Sequence, residues 1–341
     1  VIALPTITTG INPGLLPLSD ENCKVTIIFP NLTAQQYGVN RTLSTFDYYV
    51  TNKLRSDGVV TINKEKFRLA LENDGKLFMD ALLGFFSASY HHNDRVGSFA
   101  FSMTDYVTGY MDIPAVILDV NYGSEVPDGS FSLDDFTFKA WWIRAYGLSY
   151  GRVLYRDKSL YRDNPGFFKR ITGGITAKYI LTYAYTDIGL SANASYSSLD
   201  QTLRGSYQAR AIHAFSDDLT SANAFEQDSE QPRGFLRLKP AGRGFGIDIG
   251  GAAELHKGWI VGLSVTDIGF ISWKGNAASS DFSGYIDISG VIEEGTLDSL
   301  ASEIKLESEI RERFNTPMPT AVRLGVALRF EEMFDRFPGE L

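Results

Sequence analysis

The sequence predicts an all-β fold, an antiparallel transmembrane β-barrel running over residues 24–341 behind an arm at residues 1–23. Three alternating segments predict it. From Gly244, the residues Phe245, Ile247, Ile249, Gly251, Ala253 and Leu255 share one face, with Gly246, Asp248, Gly250, Ala252 and Glu254 on the other. That is the period of a strand. His256-Lys257-Gly258 then reverses the chain, and Trp259, Val261, Leu263 and Val265 form the apolar face of a second strand. The parity slips near Asp267, which suggests a bulge or a strand end. The other two segments are Ile171–Thr186 and Thr320–Glu331.

Length separates a membrane hairpin from the long hairpin of a soluble sandwich. Trp259 to Phe270 at about 3.3 Å per residue and a tilt of about 40° rises roughly 28 Å, an outer-membrane apolar band. Trp259 at one end and Phe270 with Trp273 at the other suit an aromatic girdle. The lipid-facing set is then Ile175, Tyr179, Phe245, Ile247, Ile249, Val261, Leu263, Val265 and Leu324, facing outer-membrane lipid.

Composition agrees. Among 341 residues, 17 Tyr, 23 Phe and 32 Gly supply strand and turn formers. The densest apolar patch, 81–86, falls far short of the ~20 residues a transmembrane helix needs. The net charge of −9 argues against a nucleic-acid partner, because nothing basic would displace counterions. Cys23 is the lone cysteine, so it forms no internal disulfide and belongs to no multi-cysteine metal site. No signal peptide is visible at Val1, which fits either a cytosolic protein or a cleaved export signal; a barrel requires export, to a bacterial outer membrane.

Taken in order, Val1–Asn22 reads as an arm, with Asn12-Pro13-Gly14 and Pro17 preventing a regular element. A short strand at 24–29 ends at Pro30, and 37–50 is irregularly extended. Thr61–Asp80 carries weak helical spacing. A strand over Leu82–Tyr90, a polar turn at His91–Asp94 and a return strand through Met103 follow, then a loop over Pro114–Phe136. Thr137–Leu154 is a strand, Tyr155–Arg170 a loop, and Ile171–Thr186 a strand turning at Asp187-Ile188-Gly189 into Leu190–Ser198. Leu203–Phe215 returns, Ser216–Pro240 is a loop, and Gly275–Ser289 is extended. Leu297, Leu300, Ile304, Ile310 and Phe314 suit a surface helix over Thr296–Phe314. The count of about ten to twelve strands leaves the barrel short, so closing strands are expected beyond the polar tail Glu331–Leu341. Short turns belong on the periplasmic side, which puts His91–Asp94 and His256–Gly258 there.

Several phrases resemble a family of uncharacterised Bacteroidota outer-membrane barrels, distantly similar to FadL fatty-acid transporters and to the secretion-associated barrel PorV. They are Asn12-Pro13-Gly14, Ile175–Tyr179, Gly244–Gly250, Val265–Trp273 and Pro319–Gly325. The resemblance implies a fourteen-stranded barrel with Asn12, Pro13 and Gly14 as a lumen plug, and no enzyme chemistry. Gly14 departs from the alanine usual in FadL-like proteins after Asn-Pro.

No phosphate loop, metal-ligand spacing or nucleophile elbow occurs, so no catalytic, cofactor-binding or metal residues are expected. His91-His92 is a solvated turn, since adjacent strand side chains point to opposite faces. Lys178, Asp248, Glu254, Arg323 and Arg329 are the lumen-facing candidates; on an open sheet they would be a solvated face. Two functions follow as expectations. One is binding or passage of small hydrophobic compounds in a FadL-like manner; the other is a non-transporting subunit with envelope protein partners, in a secretion translocon or outer-membrane assembly machinery. The Thr, Ser, Gly and charged inward residues weigh against an apolar pocket.

Overall fold

A computed structural model describes residues 11–18, 24–37, 76–112, 129–157, 167–197, 199–200, 202–220, 238–255, 258–289, 309–310 and 313–329. They form one antiparallel sheet of thirteen strands. The first six are β1 (Val25–Ile28), β2 (Asn31–Tyr37), β3 (Lys76–Asn93), β4 (Gly97–Asp112), β5 (Gly129–Arg156) and β6 (Phe168–Ser197). The rest are β7 (Thr202–Phe215), β8 (Gly242–Leu255), β9 (Trp259–Trp273), β10 (Ala278–Ser289), β11 (Glu309–Ile310), β12 (Phe314–Pro317) and β13 (Ala321–Leu328). A 3₁₀ turn, Pro13–Leu18, lies in the amino-terminal arm.

Several strands are pieces of one longer stave. The 30 residues of β6 pair with β5 along nearly their whole length. On the other edge, the half of β6 up to Thr182 pairs with β8, and the half from Ala184 onward pairs with β7. β7 and β8 therefore lie end to end, interrupted by residues 216–241. β9 and β10 likewise follow β8 and β7, while β11, β12 and β13 line the next edge. The described sheet is an up-and-down meander whose outer edges, β1 with β2 and β12 with β13, are not joined to each other.

The sheet is concave. The six-residue arm turn contacts β4, β5, β6, β8 and β9. Tyr106 of β4 packs in one cluster with Trp273 of β9 and Phe314 of β12, strands far apart in the sheet order, so the sheet bends around its inner face. Burial alternates accordingly: on β8, Gly244, Gly246 and Asp248 are buried and Phe245, Ile247 and Ile249 are exposed. The apolar outward face recurs on β13, where Val322, Leu324 and Val326 are 60–74% exposed.

The slip expected near Asp267 is a bulge. Ile247 pairs with Ile268 but Ile249 with Val265, and Asp267 has φ of 61°. The strand pairing also puts the 94–96 turn and Gly258 at the same end of the sheet, because β3 and β8 run the same way.

Several expectations are corrected. His91–Asn93 belong to β3, and the turn is 94–96. Asp187-Ile188-Gly189 is no turn; it lies within β6, whose apolar period changes phase at Tyr183, the residue skipped between the pairs Trp142–Ala184 and Ile143–Thr182. The same shift turns Tyr185 inward. Residues 129–136 and 168–170 are strand, not loop. Lys76–Asp80 opens β3, while 61–75 lie outside the described residues. Of the helix expected at Thr296–Phe314, Glu309–Ile310 and Phe314 are strand; 296–308 lie outside, as do 330–341. Trp273 is no girdle residue, being fully buried on the inner face; Trp259 and Phe270 are exposed on the outer face.

The register gives a direct check. Val261 and Val326 are opposite each other in β9 and β13, so a Val261→Cys, Val326→Cys pair in a Cys23→Ser background should oxidise to a disulfide. A Val261→Cys, Val322→Cys pair, about 13 Å off along the strand, should not.

Candidate functional site

The concave face gathers buried polar groups into layers, beginning at the end that carries the short turns. Glu254 of β8 is 1% exposed, and its carboxylate accepts from Arg170 Nε at 2.9 Å and from Arg329 Nη1 at 2.9 Å. Lys169 Nζ lies 3.1 Å away. Arg329 also reaches the carbonyl of Leu18 at 3.4 Å, tying this cluster to the arm.

The arm forms the next layer. Asn12 folds back so that its Oδ1 accepts from the Gly14 amide at 2.9 Å, a turn that asparagine favours. Its Nδ2 donates to the Gly251 carbonyl at 3.1 Å. Thr172 donates to the Gly14 carbonyl, and Ser264 to the Ile11 carbonyl at 2.7 Å. These bonds satisfy arm backbone that would otherwise be buried unpaired.

Shape fixes the arm as much as polarity does. A Cβ on Gly14 would lie 2.6 Å from Gly251 Cα, and one on Gly151 2.9 Å from the Pro17 ring. Cβ atoms on Gly174 and Gly250 would run into Pro13 and Asn12. Close backbone approach is the use of glycine in a strand. An alanine at position 14 would not fit this seat.

Beyond the arm comes a second ionic layer. Lys178 Nζ sits 2.9 Å from Asp248 Oδ2 and donates to Asp267 Oδ1 at 2.6 Å. Asp248 Oδ2 has no hydrogen bond of good geometry, so its contact with Lys178 is chiefly ionic. Its other oxygen, Oδ1, accepts from the Asp267 amide at 2.8 Å, which holds the bulge. Arg323 donates to Thr266 in the same layer. Lys178, Asp248 and Thr266 are all at most 5% exposed.

Above that layer the inner face becomes apolar. Ile143, Ala145, Ile180, Ile271, Trp273, Tyr185 and Met318 are buried together, with Tyr106, Trp141 and Phe314 against them. Trp273 stacks 6.1 Å from Phe314 and donates Nε1 to Thr316 Oγ1 at 2.9 Å. Met318 fills the gap between β12 and β13, over Gly246 and Gly269. This corrects the expectation of an inner face made only of polar and small residues.

All five expected interior residues lie on this face, in two clusters: Glu254 with Arg329, and Lys178 with Asp248, Arg323 nearby. Asn12, Pro13 and Gly14 are buried in the arm's seat. Sequence reasoning missed Asp267, hidden at the parity slip, and Arg170 with Lys169, assigned to a loop. It also missed a pair on the outward face. Arg144 of β5 donates to both carboxylate oxygens of Asp105, at 2.6 and 2.9 Å, beneath Phe85 and Tyr183, whose rings lie 5.0 and 5.1 Å from the guanidinium. Among the described residues no group of His, Cys, Asp and Glu is arranged to hold a metal ion.

Such a sheet, bent around an arm from its own chain, defines an all-β protein built on an internally plugged antiparallel wall. The chain belongs to a family of unknown function, DUF5723, whose pattern matches residues 13–337. Neither a curated protein nor a solved structure matches it.

Substitutions in the arm's seat and in the second ionic layer test this arrangement. Gly174→Val should unseat the arm: in a Cys23→Ser background, a Leu16→Cys thiol, buried in the parent, should become maleimide-reactive. Gly325→Val, at a position with nothing within 4 Å, should leave it protected. Lys178→Met removes one partner of a buried cluster and should cost about 3–5 kcal/mol, read as a lowered unfolding midpoint; adding Asp248→Asn should recover part of the loss.

Proposed function

We propose that the chain is an outer-membrane β-barrel held shut by its own arm, acting as a non-transporting subunit of an envelope complex such as a secretion translocon or outer-membrane assembly machinery. The carrying observation is that the inner wall is filled at successive heights: Glu254, Thr172, Asp248, Ile180 and Trp273 are each at most 1% exposed. Passage needs an open, lined cavity, and porin-type flow needs a wet lumen. This wall offers its own arm, two ionic clusters and an aromatic plug instead.

Two features support the membrane assignment: the exposed apolar outward face and its aromatic residues Trp259 and Phe270. Barrel closure then requires the edges at β1–β2 and β12–β13 to be joined, directly or through further strands, since lipid leaves no backbone group unsatisfied. The likenesses to FadL-type transporters and to PorV, and a count of fourteen strands, belong to this proposal.

A second function, passage of a small hydrophobic compound, is favoured by one observation. Ile180, Ile271, Trp273, Tyr185, Phe314 and Met318 make an apolar stretch beyond the arm that such a compound would meet if the arm moved.

Ile247→Arg places a charge on the lipid face, and should lower folding stability in bilayers by about 2–4 kcal/mol near the midplane. Gentle purification from native membranes separates the two functions. A stoichiometric protein partner and a silent planar-bilayer recording are expected; a monomer carrying a lipid-like ligand would overturn the subunit role.

A further inference from the structure

Beyond the part of β6 that pairs with β8, four strands continue together: the first half of β5, the second half of β6, β7 and β10. At about 3.3 Å per residue and a 40° tilt, Phe168–Thr182 already rises about 35 Å, more than the ~25 Å apolar band of such barrels. The continuing sheet stands clear of that band, on the side away from the short turns.

Its two faces are chemically opposite. Lys139, Asp187, Arg204, Arg210, Asp281 and Asp287 all lie on the face continuous with the interior. There the ion pairs Lys139–Asp187, Arg204–Asp287 and Arg210–Asp281 bridge neighbouring strands at 2.9, 3.2 and 3.7 Å. The other face is continuous with the lipid-facing side, and none of its described side chains is Asp, Glu, Lys or Arg. Phe136, Leu190, Ala209 and Phe282 form one cross-strand row on it, and Ile188 and Ala211 belong to the next. Among the described residues no other element packs broadly across this face.

The area is large enough to matter. Four strands about 4.8 Å apart and some twelve residues long give roughly 750 Å². That is comparable to one side of a standard protein interface, about 800 Å². The relief is also directional. Ala209 and Ala211 run along β7 between Ile188 and Leu190 on β6 and Phe282 on β10, leaving a channel two strand spacings wide, about 10 Å. An α-helix is about 10 Å across.

Resting on the subunit role above, we infer that this apolar face is the docking surface for the partner, and that the partner lays the apolar side of an amphipathic helix along the Ala209–Ala211 channel. The contact is a helix-in-groove mode of recognition. A neutral face adds no charge steering, so the complex is expected to be held by burial and to persist in high salt.

The test places a photo-crosslinking amino acid at Leu190 or Ala209 in intact cells, with Ser191 and Gln208, on the opposite face, as controls. Adducts at 190 and 209 but not at 191 and 208, mapping to an amphipathic helix of a stoichiometric partner, are expected. Ala209→Asp should lower partner recovery roughly tenfold or more, by burying an unpaired charge. Heat-modifiable migration of the variant in detergent gels confirms that it remains folded. An adduct with a second copy, with lipid alone or within the same chain would overturn the inference, as would adducts on both faces. If Ala209→Asp keeps its full complement of partner, the subunit role stands and this surface fails. If no partner is recovered from either protein, the role itself fails.

Discussion

The constraint on which this structure depends is the division of one sheet into a polar, ion-paired inner face and a mainly apolar outer one. Side chains alternate with period two, so a slip of a single residue would send every later side chain to the wrong face. Strands of 28 and 30 residues cannot keep one phase against twisting neighbours, and the sheet releases the mismatch at bulges. At Tyr183 the outward residues of β6 change from odd to even, so Ile175 and Tyr179 before it and Ile188 and Leu190 after it stay on one side. At Asp267 the same happens in β9: Leu263 and Val265 precede the bulge, Ile268 and Phe270 follow, and all remain outward. Each bulge is also a chemical site, one delivering the aromatic roof of Arg144, the other a carboxylate for Lys178.

That mechanism explains what could be read from residues alone. The all-β class, the outward apolar set on β8 and β9, and the five interior charges were legible because they lie where alternation is uninterrupted. Failures fall at or just beyond a phase change. Trp273 looks like a girdle residue if the strand is read by its aromatic ends, but three residues past Phe270 and beyond the bulge it must face inward. Asp187-Ile188-Gly189 resembles a turn because Asp and Gly favour turns and the period has just shifted; in the fold Asp187 takes the amino group of Lys139 and the hydroxyl of Tyr185. The partners of Glu254 were invisible for another reason: Arg170 precedes the clean part of β6 in a stretch dense with charges. Nothing in the spacing of Arg144 and Asp105, 39 residues apart, announces their pairing.

Arg144–Asp105 lies on the outward face, as do the exposed Arg152 and Arg243, but unlike them it is sealed from its surroundings. A charged pair on the outward face pays a desolvation cost of several kcal/mol per ion. The sheet offsets it locally: two parallel hydrogen bonds from the guanidinium to the carboxylate give the stronger, bidentate form of the contact, and Trp142 Nε1 donates to Asp105 Oδ2 at 3.0 Å. Phe85 and Tyr183, each at a register shift of its own strand, add cation–π attraction of about 0.5–2 kcal/mol per ring. Arg144 and Asp105 end at 0% and 2% exposed. At this point the outward face shows its surroundings aromatic rings rather than charge.

The arm obeys the same economy on the inner face, with a narrow margin. Fixing the backbone of eight residues, 11–18, costs about 8–16 kcal/mol, and Pro13 and Pro17 bring it toward the lower end by restricting the free chain. Against this stand about five hydrogen bonds to the wall at roughly 1 kcal/mol each. Burial of Leu16 and Leu18 contributes about 2–3 kcal/mol apiece. The two sides come to about 10 kcal/mol each, so neither bonding nor burial alone seats the segment. Complementarity decides it: glycines on β5, β6 and β8 let the arm approach to backbone distance, and only there can Asn12, Thr172 and Ser264 reach their carbonyls. The seat is thus a property of wall and arm together, in which a single added methyl group on either side opposes the rest.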